Sequence, residues 1–278
     1  MITRACISIN NRCNLMCGYC HFHEKENAIK EESMDVIKIL DNITSYIDRY
    51  DIPLFKIGFV GNGEPLIEYK NLKLYIERLC PYIKEGKISA YTITNGLLID
   101  EEKLSFFKDN KINVGFSIDG IQPIHDKWRC GTHKKVIEKI ELFYKINGHY
   151  PTMNCTVGKE VLENTEETIK FFERFDTRIT FSRMIGKYGI SMDSFLNFMD
   201  QAEKSLKVRR GGYDCTMYGG KCGAGMDNIF YANGKIFICG NCVDINSNIS
   251  SDTSLDKIFF NVENFDRTKC YKESILRK

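Results

Sequence analysis

Apolar side chains along this chain recur with two alternating periods. ACISIN (5–10), LFKIGFV (54–60), ISAYTIT (88–94), INVGFSI (112–118), TMNCTV (152–157) and RITFSRMI (178–185) have strand length and are rich in β-branched and aromatic residues. Between them the spacing lengthens to that of a helix. Val36, Leu40, Ile43 and Ile47 share one face, as do Leu72, Ile76 and Leu79, then Val136, Ile140 and Phe143, then Ile169, Phe172 and Phe175. Asp100 and Glu101 place acidic charge where a helix near 100–109 would begin. Strands that alternate with helices predict a parallel sheet with helices outside. The six units span about 190 residues, short of the roughly 250 of a closed eight-fold barrel. The predicted fold is therefore α/β, a partial (β/α)6 barrel over residues 1–207. In such folds the chemistry sits at the carboxyl ends of the strands.

From residue 208 the pattern changes. The glycine-rich RRGGYDCTMYGGKCGAG (209–225) leads into NIFYANGKIFIC (228–239), where Asn233-Gly234 between two β-rich runs predicts a hairpin. Residues 208–278 are expected to form a small cysteine-bearing appendage.

Composition narrows the function classes. A hydrophobic fraction of 43% is ample for a core, and a net charge of +2 gives no electrostatic case for nucleic acid or an anionic membrane. No apolar run reaches the ~18 residues of a membrane span. MITRACISIN lacks the apolar core of a signal peptide, so the expected location is the cytoplasm.

In a reducing compartment the 12 cysteines need another role than disulfides. Cys6, Cys80, Cys130 and Cys155 are isolated and read as small buried hydrophobes. Cys13, Cys17 and Cys20 form a C-x3-C-x2-C run directly after the first strand, on the chemically active rim. Structural zinc takes four ligands, which His21 would have to complete. A cluster held by three thiolates instead leaves one iron open to a small molecule.

C-x3-C-x2-C with Tyr19 before the last cysteine resembles the signature of the radical S-adenosylmethionine (SAM) superfamily. The resemblance implies a 4Fe–4S cluster on Cys13, Cys17 and Cys20, with SAM chelated by the open iron. One electron from that cluster then cleaves SAM to methionine and a 5′-deoxyadenosyl radical, which abstracts hydrogen from substrate. Further short motifs fall in the family's order on successive strand ends. GNGEP (61–65) resembles the family's GGE motif, with Gly61, Gly63 and Glu64 near the SAM ammonium and Asn62 in place of a glycine. Thr94 and Asn95 in TNG, Ser117 and Asp119 in SIDG, and Asn154 on the fifth strand are expected polar contacts to SAM. IHDKWR (124–129) resembles the H-D-x-x-R of peptide-modifying members, where Arg129 can pair with a carboxylate. Arg183 is a weaker candidate, and His125 is expected to be structural.

C-x11-G-x4-C, from Cys222 through Gly234 to Cys239, resembles the opening of the C-terminal SPASM domain. The remaining SPASM cysteines are absent, which implies one auxiliary 4Fe–4S cluster of the shorter twitch type. Cys215, Cys222 and Cys239 are its expected ligands, with Cys270 favoured over Cys242 as the fourth. A free Cys242 would return a hydrogen atom to a substrate radical. A zinc ribbon is the alternative for these cysteines. The implied substrate is a ribosomally made peptide that is crosslinked, given a thioether or epimerised. A sugar- or cyclitol-type dehydrogenase is the alternative. An external reductant such as flavodoxin or ferredoxin is the expected partner.

Overall fold

The computed structural model describes residues 1–20, 33–209, 215–243, 247–262 and 265–272. His21 and the 210–214 part of the glycine-rich stretch lie outside the described residues. Six strands alternate with helices as the periodicity predicts. They are β1 (Arg4–Ile7), α1 (Val36–Tyr50), β2 (Phe55–Phe59), α2 (Tyr69–Lys84), β3 (Ile88–Thr94), α3 (Glu101–Asp109) and β4 (Asn113–Ser117). After these come α4 (Gln122–Trp128), α5 (His133–Asn147), β5 (Thr152–Val157), α6 (Lys159–Glu163), α7 (Thr165–Glu173), β6 (Arg178–Arg183) and α8 (Met192–Ala202). The chain continues through β7 (Lys207–Val208), β8 (Asn228–Ala232) and β9 (Lys235–Phe237).

Local chemistry sets several boundaries. The Asp35 carboxylate accepts the Lys38 amide and starts α1, and Asp100 accepts the Lys103 amide and starts α3. Gly148 ends α5 at φ 77°, a left-handed turn that glycine takes without Cβ strain. The apolar faces of α1, α2 and α5, with Ile39, Ile43, Leu72, Ile76, Val136 and Ile140 fully buried, pack on the outside of the sheet.

Among the described residues the sheet has nine strands in the order β7-β6-β5-β4-β3-β2-β1-β8-β9 and does not close. Neighbours pair in parallel except β8 with β9. The architecture is an α/β partial barrel. Asn233 and Gly234 both take positive φ (49° and 70°), the type I′ geometry that the Asn-Gly pair predicts. The hairpin also does something periodicity does not reveal. β8 docks in parallel on β1, with Arg4 opposite Asn228 and Ile7 opposite Tyr231, so the cysteine-bearing segment extends the barrel's own sheet.

Candidate functional site

The loop after β1 carries the three front thiols, and three strand-end loops hold it in place. Glu64 N–H donates to the Arg12 carbonyl at 2.8 Å, and Asn10 Nδ2 donates to the Glu64 carbonyl at 3.1 Å. Gly18 N–H donates to the Trp128 carbonyl at 2.9 Å. A Cβ on Gly63 would lie 2.3 Å from the Arg12 carbonyl oxygen, and one on Gly61 would lie 2.4 Å from Ser8 Oγ. The glycines of G-N-G-E-P thus serve close backbone approach. Neither they nor Asn62 take a positive φ, so space rather than backbone conformation calls for glycine at 61 and 63.

Cys13, Cys17 and Cys20 are half-buried and line one cavity of about 320 Å³ at the carboxyl ends of the strands. Burial pushes the Cys13 thiol up and Cys17 up to about 12; crowding by neighbouring thiols adds to this, and Arg129 opposes it at Cys17. Desolvated thiols of this kind become thiolates when a cationic group binds them.

Gly61, Gly63, Glu64, Thr94 and Asn95 line the same cavity. The buried Glu64 carboxylate accepts Thr94 Oγ1 at 2.7 Å, the Asn95 amide at 2.8 Å and the Leu66 amide at 3.1 Å. Burial raises its pKa and these hydrogen bonds oppose the rise. Glu64 therefore ties the end of β2 to the end of β3. Asn95 Nδ2 in turn donates to Asn14 Oδ1 at 2.7 Å, next to Cys13. Asn62 donates to Asn11 Oδ1 at 3.0 Å, while its own buried Oδ1 has no partner among the described residues.

The SIDG and HDKWR segments converge on Asp119, which is fully buried. One carboxylate oxygen accepts Arg129 Nε at 2.7 Å and Tyr19 OH at 2.6 Å; the other accepts the Thr156 amide at 2.9 Å. Burial pulls the Arg129 pKa down, but the Asp119 carboxylate and other acidic groups outweigh it and hold the guanidinium charged. Arg129 lies over the Tyr19 ring at 5.5 Å and is a wall of the thiol cavity, with no partner for its terminal nitrogens among the described residues. Asp119 is thus a positioning group behind Arg129 and Tyr19. Behind it stands a relay: Asp119 N–H donates to His125 Nδ1 at 3.2 Å, Nε2–H donates to Thr132 Oγ1 at 3.1 Å, and that hydroxyl donates to the Arg129 carbonyl at 2.7 Å. Burial lowers His125 to about 4, which keeps this neutral tautomer.

Ser117 lines the thiol cavity; Asn154 does not, and instead lines a second cavity of about 240 Å³ inside the barrel. Arg183 reaches the first cavity with Nη1 donating to the Ile190 carbonyl at 2.8 Å and a buried Nε without a partner among the described residues. Sequence reasoning missed Thr156, Ser182 and Met217. The first two sit at strand-end positions whose side alternates with the buried residues; Met217 carries no signal that would separate it from a core methionine.

The second cavity meets the C-terminal cysteines. Cys215 and Cys239 line it opposite Tyr91 and Asn154, and Val60, Gly61, Ile93 and Met217 are walls of both cavities. Burial pushes Cys215 up to about 12, with Cys239, Cys270 and Cys222 near enough to add to the rise. Arg267 ties the Cys222 segment to the Cys270 segment through Nη1 to the Cys222 carbonyl at 2.7 Å, and Asn241 Nδ2 donates to Cys270 Sγ at 3.4 Å. Cys242 is 3% exposed and lines neither cavity; its Sγ shares a hydrogen bond with Cys239 Sγ at 3.4 Å, and this coupling holds Cys239 down and Cys242 up.

A parallel partial barrel with three thiols on the loop after β1 and a fixed polar rim around one cavity is a frame that can hold a thiolate-bound metal group beside a polar ligand. The Radical SAM superfamily profile matches residues 7–172, and the chain belongs to that superfamily. A cysteine-type anaerobic sulfatase-maturating enzyme of Clostridium novyi (strain NT) is 27% identical over 177 residues, covering 61% of this chain and 47% of the relative. The chain thus spans about half the length of that curated relative. Native anSMEcpe with bound AdoMet superposes with a TM-score of 0.73 at 20% identity, over 91% of this chain and 79% of that one. Streptococcus suis SuiB bound to the precursor peptide SuiA superposes at 0.71 and 16% identity, over 94% and 65%. The cofactors that go with this superfamily are SAM and a 4Fe–4S cluster. The site suits them. Three half-buried thiols face one cavity with an orphaned carbonyl oxygen on Asn62 for an ammonium and a fixed guanidinium on Arg129 for a carboxylate. No described helix is long and apolar enough to cross a membrane.

Proposed function

We propose that this chain is a radical SAM enzyme that modifies a peptide in the space between its two thiol-lined cavities. The observation that carries the reading is their adjacency: Val60, Gly61, Ile93 and Met217 wall both the cavity of the front thiols and that of Cys215 and Cys239. Cys13, Cys17 and Cys20 would hold the SAM-binding cluster. Cys215, Cys222 and Cys239 would hold one auxiliary cluster of the twitch type, with Cys270 as fourth ligand. When bound at the front cluster, SAM would supply a 5′-deoxyadenosyl radical able to take a hydrogen atom from the substrate, one electron from the reduced cluster releasing methionine.

The chain's own residues do the positioning. Gly61 and Gly63 let the β2 loop press against the thiol loop. Glu64 holds the β2 and β3 ends together, with Thr94 and Asn95 as its partners. Asp119 aims Arg129 and Tyr19, and Ser117 offers a hydroxyl at the rim. The burial of Cys242 and its bond to Cys239 favour support of that ligand over delivery of hydrogen to the cavity. We place the boundary between barrel and auxiliary segment near residue 208. The relatives' description as sulfatase-maturating enzymes and the peptide-bound form of SuiB support a peptide substrate. Flavodoxin or ferredoxin in the cytoplasm would supply the electron.

The test is anaerobic reconstitution followed by reduction with dithionite in the presence of SAM. The expected result is about eight iron per chain, 5′-deoxyadenosine, and a mass change in a peptide encoded beside this gene. Zinc in the front loop, or no 5′-deoxyadenosine, would overturn the radical reading. Turnover of sugars but of no peptide would overturn the substrate class.

A further inference from the structure

The lumen of this barrel holds cavities along its length, and its far end is basic. Closed barrels of this type fill the interior with layers of branched apolar side chains. Here the inward positions of β3 to β6 include Tyr91, Gly115, Asn154 and Thr180. Gly58 and Gly115 make the room: a Cβ would come within 2.5 Å of the Tyr91 ring and 2.7 Å of Asn154 Nδ2. A third cavity, of about 580 Å³, opens at the amino ends of the strands and shares Tyr91, Ile93, Asn154, Thr180 and Arg209 with the central one. The three cavities therefore adjoin in series along the barrel, from the amino-end mouth to the front thiols.

The mouth has one sign of charge. Arg4, Lys56, Arg178 and Arg209 line it, and no acidic side chain does so among the described residues. Lys56, Arg178 and Arg209 have no carboxylate within ion-pair distance among the described residues, whereas the nearby Lys207 is paired with Asp176. Over the whole chain 39 basic residues face 37 acidic ones, so net charge does not account for this concentration. A cleft lined by one sign in low-dielectric walls focuses its field on a ligand of the opposite sign.

We propose that the substrate peptide carries an acidic segment that docks in this basic mouth, with the chain running up the lumen to the thiol cavity. The proposal rests on the peptide reading above and names its sequence chemistry. Strand β6 spans the route from Arg178 at the mouth to Arg183 at the thiol cavity. That is about 17 Å at ~3.3 Å per residue, so the acidic side chains sit about five residues from the modified one in an extended peptide.

The experiment uses the full chain, reconstituted anaerobically, and rhodamine-labelled hexaglutamate and hexalysine read by fluorescence anisotropy. Hexaglutamate is expected to bind at least tenfold more tightly than hexalysine at low salt. The K56E/R178E double variant is expected to lose at least tenfold, and K134E/K135E, on the exposed face of α5, is expected to change nothing. Should the charge reversal prevent folding, K56Q/R178Q carries the same expectation. Equal binding of the two peptides, no loss in the mouth variants, or an equal loss in the α5 variant would overturn the proposal. Full displacement by millimolar inorganic phosphate would also overturn it, since the mouth would then be a small-anion site. Formation of 5′-deoxyadenosine by the wild-type protein without peptide is scored separately. Its absence counts against the radical chemistry, whereas the peptide binding decides the mouth.

Discussion

Replacing Asp119 by alanine should damage the site more than any other single change at the rim, and the size of the damage can be worked out. The substitution strips the anion from a guanidinium whose residue is 9% exposed, and it leaves the Thr156 amide and the Tyr19 hydroxyl without their acceptor. Removing one partner of a buried ion pair costs about 3–5 kcal/mol, and each orphaned donor about 1–3 kcal/mol. The losses share one network and do not add, so about 4 kcal/mol is the expected total. Unfolding entropy of about 2.1 cal/mol/K per residue over 278 residues gives about 0.58 kcal/mol/K, so Tm should fall by about 7 °C. The assay is calorimetry of the wild type, Asp119→Ala, Arg129→Met and the double variant at one scan rate. With both charges gone no unpaired cation remains, so the double variant should recover at least half of the Asp119→Ala loss. SAM affinity should be lost in all three variants. A double variant no more stable than Asp119→Ala alone would refute the claim that an uncompensated Arg129 is the source of the cost.

Iron content should sort the thiols. Cys17→Ala is expected to fall from about eight to about four iron per chain; Cys270→Ala should fall likewise, and Cys242→Ala should keep its iron. Gly63→Ala drives a Cβ into the Arg12 carbonyl, which as backbone cannot turn aside, and should cost about 3 kcal/mol, seen as a Tm drop of about 5 °C. The neutral His125 makes stability depend on pH in a defined sense. Its folded pKa of about 4 lies below the ordinary 6.5, so its contribution is intact above pH 6.5 and is lost as pH falls toward 4. At pH 5 the loss should be about 2 kcal/mol relative to pH 8. Urea midpoints of the wild type should fall accordingly over that range, and those of His125→Gln should fall less.

Much of this was legible because it is local. The six strands and the helices that carry Val36, Leu72 and Val136 follow from spacing alone, and Asn233-Gly234 sets its own turn. The front thiols, Glu64, Thr94, Asn95, Ser117 and Arg129 meet at one cavity because parallel strands deliver their carboxyl ends to one rim. Three things were not legible. β8 on β1 is a contact across more than 220 residues, which no period encodes. Asp119 reads as a ligand contact in sequence but is spent on Arg129, Tyr19 and Thr156, and one of those partners is a backbone amide without side-chain identity. Asn154 lies one cavity deeper than expected, because inward positions of a hollow barrel differ in depth by two residues and in sequence by nothing else.

The pairing of β8 with β1 also fixes an order of events during biosynthesis. β1 is made first, yet its second neighbour is residues 228–232, which leave the ribosome after almost the whole barrel. Until then the backbone edge at Ala5, Cys6 and Ile7 stands open beside the nascent thiol loop, a template for stray strand pairing. Completion of the sheet beneath the thiol loop therefore waits for the C-terminal hairpin, and a chain truncated before residue 228 should aggregate rather than fold as a smaller barrel.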